Sequence, residues 1–157
     1  MKKRHFATSL GLAVILTGTA FAAGHISEDV TKAMEARQAH MTLYSFNMAT
    51  LGGMAQDRTP YDAAAATAAA NNLAAIANMD QSAYWVEGSD SSVEGSRAKA
   101  EIWSNADDYA EKIAALASAS TALAAVAGND LDALKGAFGP VGGSCAACHR
   151  AYRVSDN

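Results

Sequence analysis

The sequence predicts an all-α fold, an antiparallel four-helix bundle, and three observations support it. In three segments, apolar side chains recur at alternating spacings of four and three residues, which is the seam of a bundle helix. No segment alternates apolar and polar residues as a half-buried strand does. Two short connections and one long one join the four helical segments, as in known bundles. A chain of 157 residues has the size of one domain.

The first 22 residues have the pattern of a cleaved secretory signal peptide. A basic head at residues 2–4 precedes an apolar run at 10–16, and Ala20-Phe-Ala22 supplies the small-x-small cleavage pattern. The alternative is an uncleaved membrane anchor, but the apolar run is short for a membrane span. We therefore expect residues 23–157 to form the bundle in the periplasm, without a membrane segment after cleavage.

The exported chain is acidic. Removing residues 1–22 takes away three basic residues and no acidic ones, which leaves 9 Lys and Arg against 16 Asp and Glu, a formal charge of −7. This charge argues against nucleic acid and against anionic membranes as partners. It favours encounter with a basic patch on a partner protein.

The first helix is predicted to begin after Ser27, a capping residue followed by two acids. We expect Gly52-Gly53 and the polar residues up to Pro60 to close it. Its seam consists of Val30, Met34, Arg37, Met41, Tyr44, Met48 and Leu51.

The second helix is predicted to begin with Thr59 as its cap and Pro60 at the first helical position, and then to run through the Ala-rich residues 61–79. A long loop over residues 80–99 follows, rich in Ser and Gly. Loops of this length are uncommon unless they are functional or disordered, so we expect a flap that packs on the core or on the edge of a bound group.

The third helix shows the four-three spacing again and is predicted to end at Gly128. Its seam is Ile102, Ala106, Tyr109, Ile113, Leu116, Ser120, Leu123 and Ala127. Asp130 is predicted to cap the fourth helix, and Pro140 to loosen or kink it. The seam of this helix is Leu131, Leu134, Phe138, Val141, Cys145, Cys148 and Tyr152.

The last seam contains Cys145-Ala-Ala-Cys148-His149, the attachment signature of c-type haem. Two thiols add to the vinyl groups of haem, and the adjacent imidazole ligates the iron. Residues three and four apart share a helix face, so all three side chains can reach one haem c. A dithiol redox centre would belong beside a βαβ pattern, which is missing here. A zinc site needs four ligands, and His25 and His40 are the remaining histidines after residue 22.

The chain resembles the class II cytochromes c, the cytochrome c′ family, and most of all their low-spin c-556 and c-554 members. The stretches that carry the likeness are Arg37-Gln38, Pro60-Tyr61-Asp62, Glu101-Ile102-Trp103, Leu134-Lys-Gly-Ala-Phe138 and Cys145-x-x-Cys-His149-x-x-Tyr152-Arg153. The resemblance implies thioethers at both cysteines, His149 as proximal ligand, and haem contacts from Arg37, Gln38 and Arg153. It also implies pairing of two copies through the first two helices.

Arg37 has an independent physical argument, because it is the one charge in the seam of the first helix. An unpaired buried guanidinium is costly, and a haem propionate would offer bidentate hydrogen bonds. The alternative is an arginine whose stem packs while its head reaches water.

The axial position opposite His149 separates two functions. Within the resemblance, an apolar residue there leaves the iron open to NO or CO, whereas a methionine from the first helix fills the position. The matching residue here is Met41, one turn after Arg37. Met34 and Met48 lie two turns away and are predicted to be core residues, and His40 points about a hundred degrees away.

We therefore expect a periplasmic one-electron carrier with His149 and Met41 as axial ligands, exchanging electrons with redox partner proteins. The alternative is a five-coordinate gas-binding or NO-detoxifying protein of the cytochrome c′ type. A third hypothesis is a structural bundle in which haem only stabilises the fold. No nucleophile, general base or hydrolytic metal motif is recognisable, so an enzyme is not expected.

Overall fold

The computed structural model describes residues 26–155, so the predicted signal over residues 1–22 lies outside the described part. Within that range the chain forms five α-helices and one short 3-10 turn. These are α1 (Glu28–Ala55), α2 (Ala63–Ala77), the 3-10 turn (Ser82–Tyr84), α3 (Glu101–Ser104), α4 (Ala106–Val126) and α5 (Leu131–Tyr152).

The long helices α1, α2, α4 and α5 form the predicted four-helix bundle. Helix α1 packs on α2 and α5, and α4 packs on the same two helices, so each helix has two neighbours. Several core side chains have no exposed surface, and burying each of them stabilises the fold by about 1.5–3 kcal/mol. They are Leu51, Leu73, Leu123, Leu134 and Val141. Between residues 26 and 155, no helix combines the length and hydropathy needed to span a membrane.

Helix α1 begins as predicted and ends within the predicted closing segment, with Gln56 as its C-cap. The side chain of Ser27 accepts a hydrogen bond from the Val30 amide and caps the helix. The glycine pair does not end it, because α1 continues to Ala55. A Cβ at Gly52 would lie 3.1 Å from the Phe138 ring, so this glycine allows α1 and α5 to approach closely.

The predicted start of the second helix was wrong by three residues. Asp62, not Thr59, is the N-cap of α2, and its carboxylate accepts a hydrogen bond of 2.9 Å from the Ala65 amide. Thr59 instead lies in the turn that follows α1, where its amide donates to the carbonyl of Gly53. Asp is also a stronger cap than Thr.

The predicted third helix is two helices. Asn105 separates the single turn α3 from α4, so Ile102 and Tyr109 belong to different elements. Helix α4 ends at Val126, just before the predicted Gly128. A Cβ at Gly128 would lie 2.0 Å from the Thr67 hydroxyl, so this glycine allows α2 and α4 to approach closely.

Helix α5 is continuous through Pro140, which the sequence predicted to loosen or kink it. Proline has no amide hydrogen, so one bond of the ladder is missing there. Asp130 caps the helix as predicted, accepting from the Ala133 amide. The haem-attachment motif therefore lies on a single uninterrupted helix.

A short antiparallel bridge between Ala98 and Arg153 fastens the long loop to the end of α5. The Lys99 amide donates to the Tyr152 carbonyl at 3.0 Å, and the Val154 amide donates to the Arg97 carbonyl at 2.9 Å. We call residues 97–99 together with 150–154 the strap.

Candidate functional site

A cavity of about 630 Å³ lies among α1, α4, α5 and the long loop between α2 and α3. Its size is within the range of about 300–1,000 Å³ that is typical of small-molecule and cofactor sites. The walls are mostly apolar and aromatic, with a few polar groups. The seams of three bundle helices open onto this space, and the long loop covers it as the sequence predicted.

One wall carries the haem-attachment motif. Cys145, Cys148 and His149 all line the cavity, because residues three and four apart on α5 share a face. Both thiols are half-buried, and burial raises the pKa of each. The motif continues the apolar seam of α5, so the helix that closes the bundle also presents the attachment residues.

The surroundings of His149 favour the neutral imidazole over the charged form. Desolvation lowers its pKa, and the nearby positive charges of Arg153 and Arg97 lower it further. Neutral imidazole has the free lone pair that a metal ligand needs. The side chain is exposed on the cavity wall and can be approached from inside the cavity.

Met41 lines the same cavity from α1 and is partly buried against the main core. His40 does not line it, because its ring is buried against Tyr44, with ring centroids 4.7 Å apart. Met34 is buried in the protein and lies outside the cavity, as predicted for a core residue. Met48 was predicted to be a core residue only. It packs on the core, and it also lines the cavity.

Arg37 is buried, with 6% of its surface exposed, and its head does not reach water as the alternative interpretation required. Its guanidinium donates to the hydroxyls of Ser89 and Ser96 and to the Ser89 carbonyl, each at 3.1 Å. Burial lowers the pKa of Arg37, but an arginine side chain keeps its positive charge at neutral pH. All of these hydrogen-bond acceptors are neutral, so the haem propionate stays a predicted counter-charge.

The other two predicted contact residues lie at the edge of the cavity. Gln38 lines it and donates to the carbonyl of Gly95 at 3.1 Å, which adds a second link between α1 and the loop. Arg153 lines it from the end of α5, where it forms the bridge with Ala98. Both side chains are exposed.

Several lining residues were not predicted as site residues. Trp85 and Tyr109 form an aromatic wall with ring centroids 5.0 Å apart, and Tyr109 also packs edge-on against Tyr152. Tyr109 belonged to a predicted seam, which is the signal that could have identified it. Lys112 and Arg97 also line the cavity, and no pattern in the sequence placed them there.

The cavity suits a covalently held haem. Two thiols and an imidazole share one wall, and the described lining residues include four cations and no carboxylate. The indole N–H of Trp85 is buried without a hydrogen-bond partner among the described residues. Within residues 26–155, no cluster of three or more His, Cys, Asp or Glu is arranged to hold a metal ion.

Comparison with known proteins agrees with this geometry. A family model described as cytochrome C′ matches residues 32–153. A cytochrome c-554 of Cereibacter sphaeroides is 37% identical over 148 residues, covering 92% of this chain and 97% of that protein. A solved cytochrome c′ from Rhodobacter spheriodes is 37% identical, with a TM-score of 0.79 over 81% of this chain and 98% of that one. A nitric oxide complex of a cytochrome c′ variant from Alcaligenes xylosoxidans is 33% identical, with a TM-score of 0.72 over 83% and 100%.

Proposed function

This chain belongs to the cytochrome c′ family, whose members bind haem c covalently, and on that premise we propose that it is a periplasmic one-electron carrier. In this proposal Cys145 and Cys148 would hold the haem through two thioethers, and His149 and Met41 would ligate its iron. Arg37, Gln38 and Arg153 contact the haem.

The observation that carries the proposal is the position of Met41. It lines the cavity from α1, while His149 lines it from α5, so a thioether and an imidazole from the first and last helices open onto one space. His40 and Met34 lie outside the cavity, whereas Met48 also lines it, so the family register one turn after Arg37 is what favours Met41 over Met48. The resemblance to low-spin members, including a c-554 at 37% identity, supports the same assignment.

Haem c, when bound, supplies one iron that changes between the ferric and ferrous states. His149 and Met41 together would leave no axial position for a substrate. A methionine ligand also raises the reduction potential relative to stronger donors. The aromatic wall of Trp85 and Tyr109 and the apolar side chains of α4 give that space a mostly apolar lining, which affects the potential of a bound iron.

The remaining parts of the proposal concern location and partners. The signal pattern at residues 1–22 predicts export, and a mature N-terminus at Ala23 would confirm it. Redox partner proteins are expected to dock where the haem edge opens. Two copies are expected to pair through α1 and α2, and the exposed Phe46 and Leu43 on α1 provide apolar surface for this contact.

The second candidate is a gas-binding protein. Relatives named cytochrome c′ are as similar to this chain as the c-554, and one cytochrome c′ variant was solved as a nitric oxide complex. If the side chain of Met41 did not ligate the iron, the sixth position would be open to such a ligand.

The visible spectrum of the reduced holoprotein, recorded with and without CO, tests the two candidates against each other. We expect a sharp low-spin α band that CO leaves unchanged, because His149 and Met41 would saturate the iron. A broad high-spin spectrum that shifts readily on addition of CO would refute the carrier and support gas binding.

A further inference from the structure

The strap concentrates positive charge beside the haem-attachment motif. Nine Lys and Arg residues follow position 22, and four of them are in the strap. They are Arg97, Lys99, Arg150 and Arg153. The bridge between Ala98 and Arg153 brings the two segments of the strap together, and neither residues 97–99 nor residues 150–154 contain a carboxylate.

These charges point to the surface. Arg97, Arg150 and Arg153 are exposed, and Lys99 is partly exposed. The Lys99 ammonium donates to the Arg150 carbonyl at 3.3 Å, so its position is held without neutralising its charge. Asp108 touches the strap through the Tyr152 hydroxyl, but its carboxylate is also paired with Lys112 at 2.9 Å.

Haem propionates do not account for the whole patch. Arg97 and Arg153 line the cavity and can face a bound haem, whereas Lys99 and Arg150 lie outside its lining. Since Arg150 directly follows His149, this charge lies at the edge of the haem site, and neither Lys99 nor Arg150 is paired with a carboxylate within residues 26–155.

We propose that the strap is the docking surface for redox partners and that it binds an acidic patch on the partner protein. This reverses the expectation from net charge, which favoured a basic partner for a chain of formal charge −7. The reason is screening: at about 0.1 M salt the Debye length is about 10 Å, so a partner at the haem edge senses the local patch more than distant carboxylates. Steering by such a patch acts mainly on the association rate.

The test uses two small oxidants of opposite charge on the reduced holoprotein, hexacyanoferrate(III) as the anion and tris(phenanthroline)cobalt(III) as the cation. Each accepts one electron from the protein and no proton moves. Stopped-flow rates are measured across ionic strength from about 0.05 to 0.5 M, where local charge dominates. We expect the rate with the anion to fall as salt rises and the rate with the cation to increase.

Two double variants test whether the charge that affects the oxidation rate lies in the strap. K99Q/R150Q removes two charges from the strap without changing a lining residue. R58Q/K135Q removes the same charge from the opposite end of the bundle, since Lys135 lies fourteen residues before His149 on α5, or about 20 Å. We expect K99Q/R150Q to slow the anionic oxidant on the order of threefold, and R58Q/K135Q to change it much less.

A rate with hexacyanoferrate(III) that rises with salt, or equal effects of the two double variants, would overturn the proposal. Haem content, read from absorbance, confirms that each variant is loaded. The proposal assumes electron exchange at the haem edge but not ligation by Met41. A five-coordinate haem would also reduce both oxidants, so the spectrum and the salt dependence report separately on the two ideas.

Discussion

The guanidinium of Arg37 lies over the ring of Trp85, with its central carbon 4.7 Å from the ring centroid. This contact joins α1 to the long loop at the cavity wall. A cation over an indole face is favourable, and more so when desolvated. Together with the hydrogen bonds to Ser89 and Ser96, it makes Arg37 the residue that holds the loop over the haem site.

Replacing Arg37 with Gln should loosen the loop and destabilise the protein. The buried Ser89 carbonyl and hydroxyl lose charged donors, and bonds of that kind are worth about 1.5–3 kcal/mol each. We expect the free energy of unfolding to fall by about 2–4 kcal/mol in denaturant titration, with faster amide exchange over residues 85–98. Gln38→Ala is the control, because its bond to Gly95 is exposed and should cost less than about 1 kcal/mol. Equal losses in both variants would contradict the assignment.

Replacing Met41 with Leu tests the axial ligand directly. Leucine keeps the apolar volume but has no sulfur, so the reduced protein should change from a CO-insensitive low-spin spectrum to a high-spin one that binds CO. The matched control is Met48→Leu, since Met48 lines the same cavity two helical turns away. Its spectrum should remain low-spin. If both variants keep the low-spin spectrum, the sulfur of Met41 is not the ligand.

Serine substitutions at the cysteines test covalent attachment. Cys145→Ser or Cys148→Ser should leave one thioether, and the double variant should retain no haem after denaturation in acid and organic solvent. The measurement is haem-dependent staining of the denatured chain, together with its mass. Haem that remained on the double variant would show that a different residue forms the bond.

Asp108 should make stability depend on pH in the acidic range. Hydrogen bonds from Tyr152 and then from Lys112 lower the pKa of this carboxyl group. A lowered pKa contributes stability above the ordinary value of about 3.9, and this contribution is lost as pH falls through the lowered value. Thermal unfolding of Asp108→Asn should therefore be less sensitive to pH below about 4 than that of the parent protein. Asp107→Asn, its neighbour, is the control and should keep the parent profile.

The exposed face of α1 predicts self-association. Phe46 is 69% exposed and Leu43 is 51% exposed, which is unusual for large apolar residues so close together on one helix. Phe46→Glu should place a charge in the predicted interface and convert a dimer to a monomer in sedimentation velocity. Val154→Glu, an exposed apolar position on the strap, should leave the dimer intact. A parent protein that sediments as a monomer would exclude this interface.

The helix positions that the sequence predicted well depend on local chemistry. Ser27 and Asp130 cap their helices as predicted, because a cap needs only its own side chain and an amide three residues later. Two errors were also local, the cap of α2 at Asp62 and the break at Asn105, whereas the role of Gly52 depends on a distant residue. Gly52 was predicted to end a helix, but the Phe138 ring of α5 explains its small size.

By itself the sequence determined the all-α bundle and the covalent haem motif, because helical period and a five-residue signature are local properties. Met41 became the candidate ligand through the resemblance to the low-spin family members. The tertiary structure decided that Arg37 is held by Ser89 and Ser96, more than fifty residues away. It also decided that the strap gathers positive charge on an acidic chain. Contacts between residues so far apart in the sequence depend on how the helices and the loop pack together. The spacing of residues along the chain does not determine that packing.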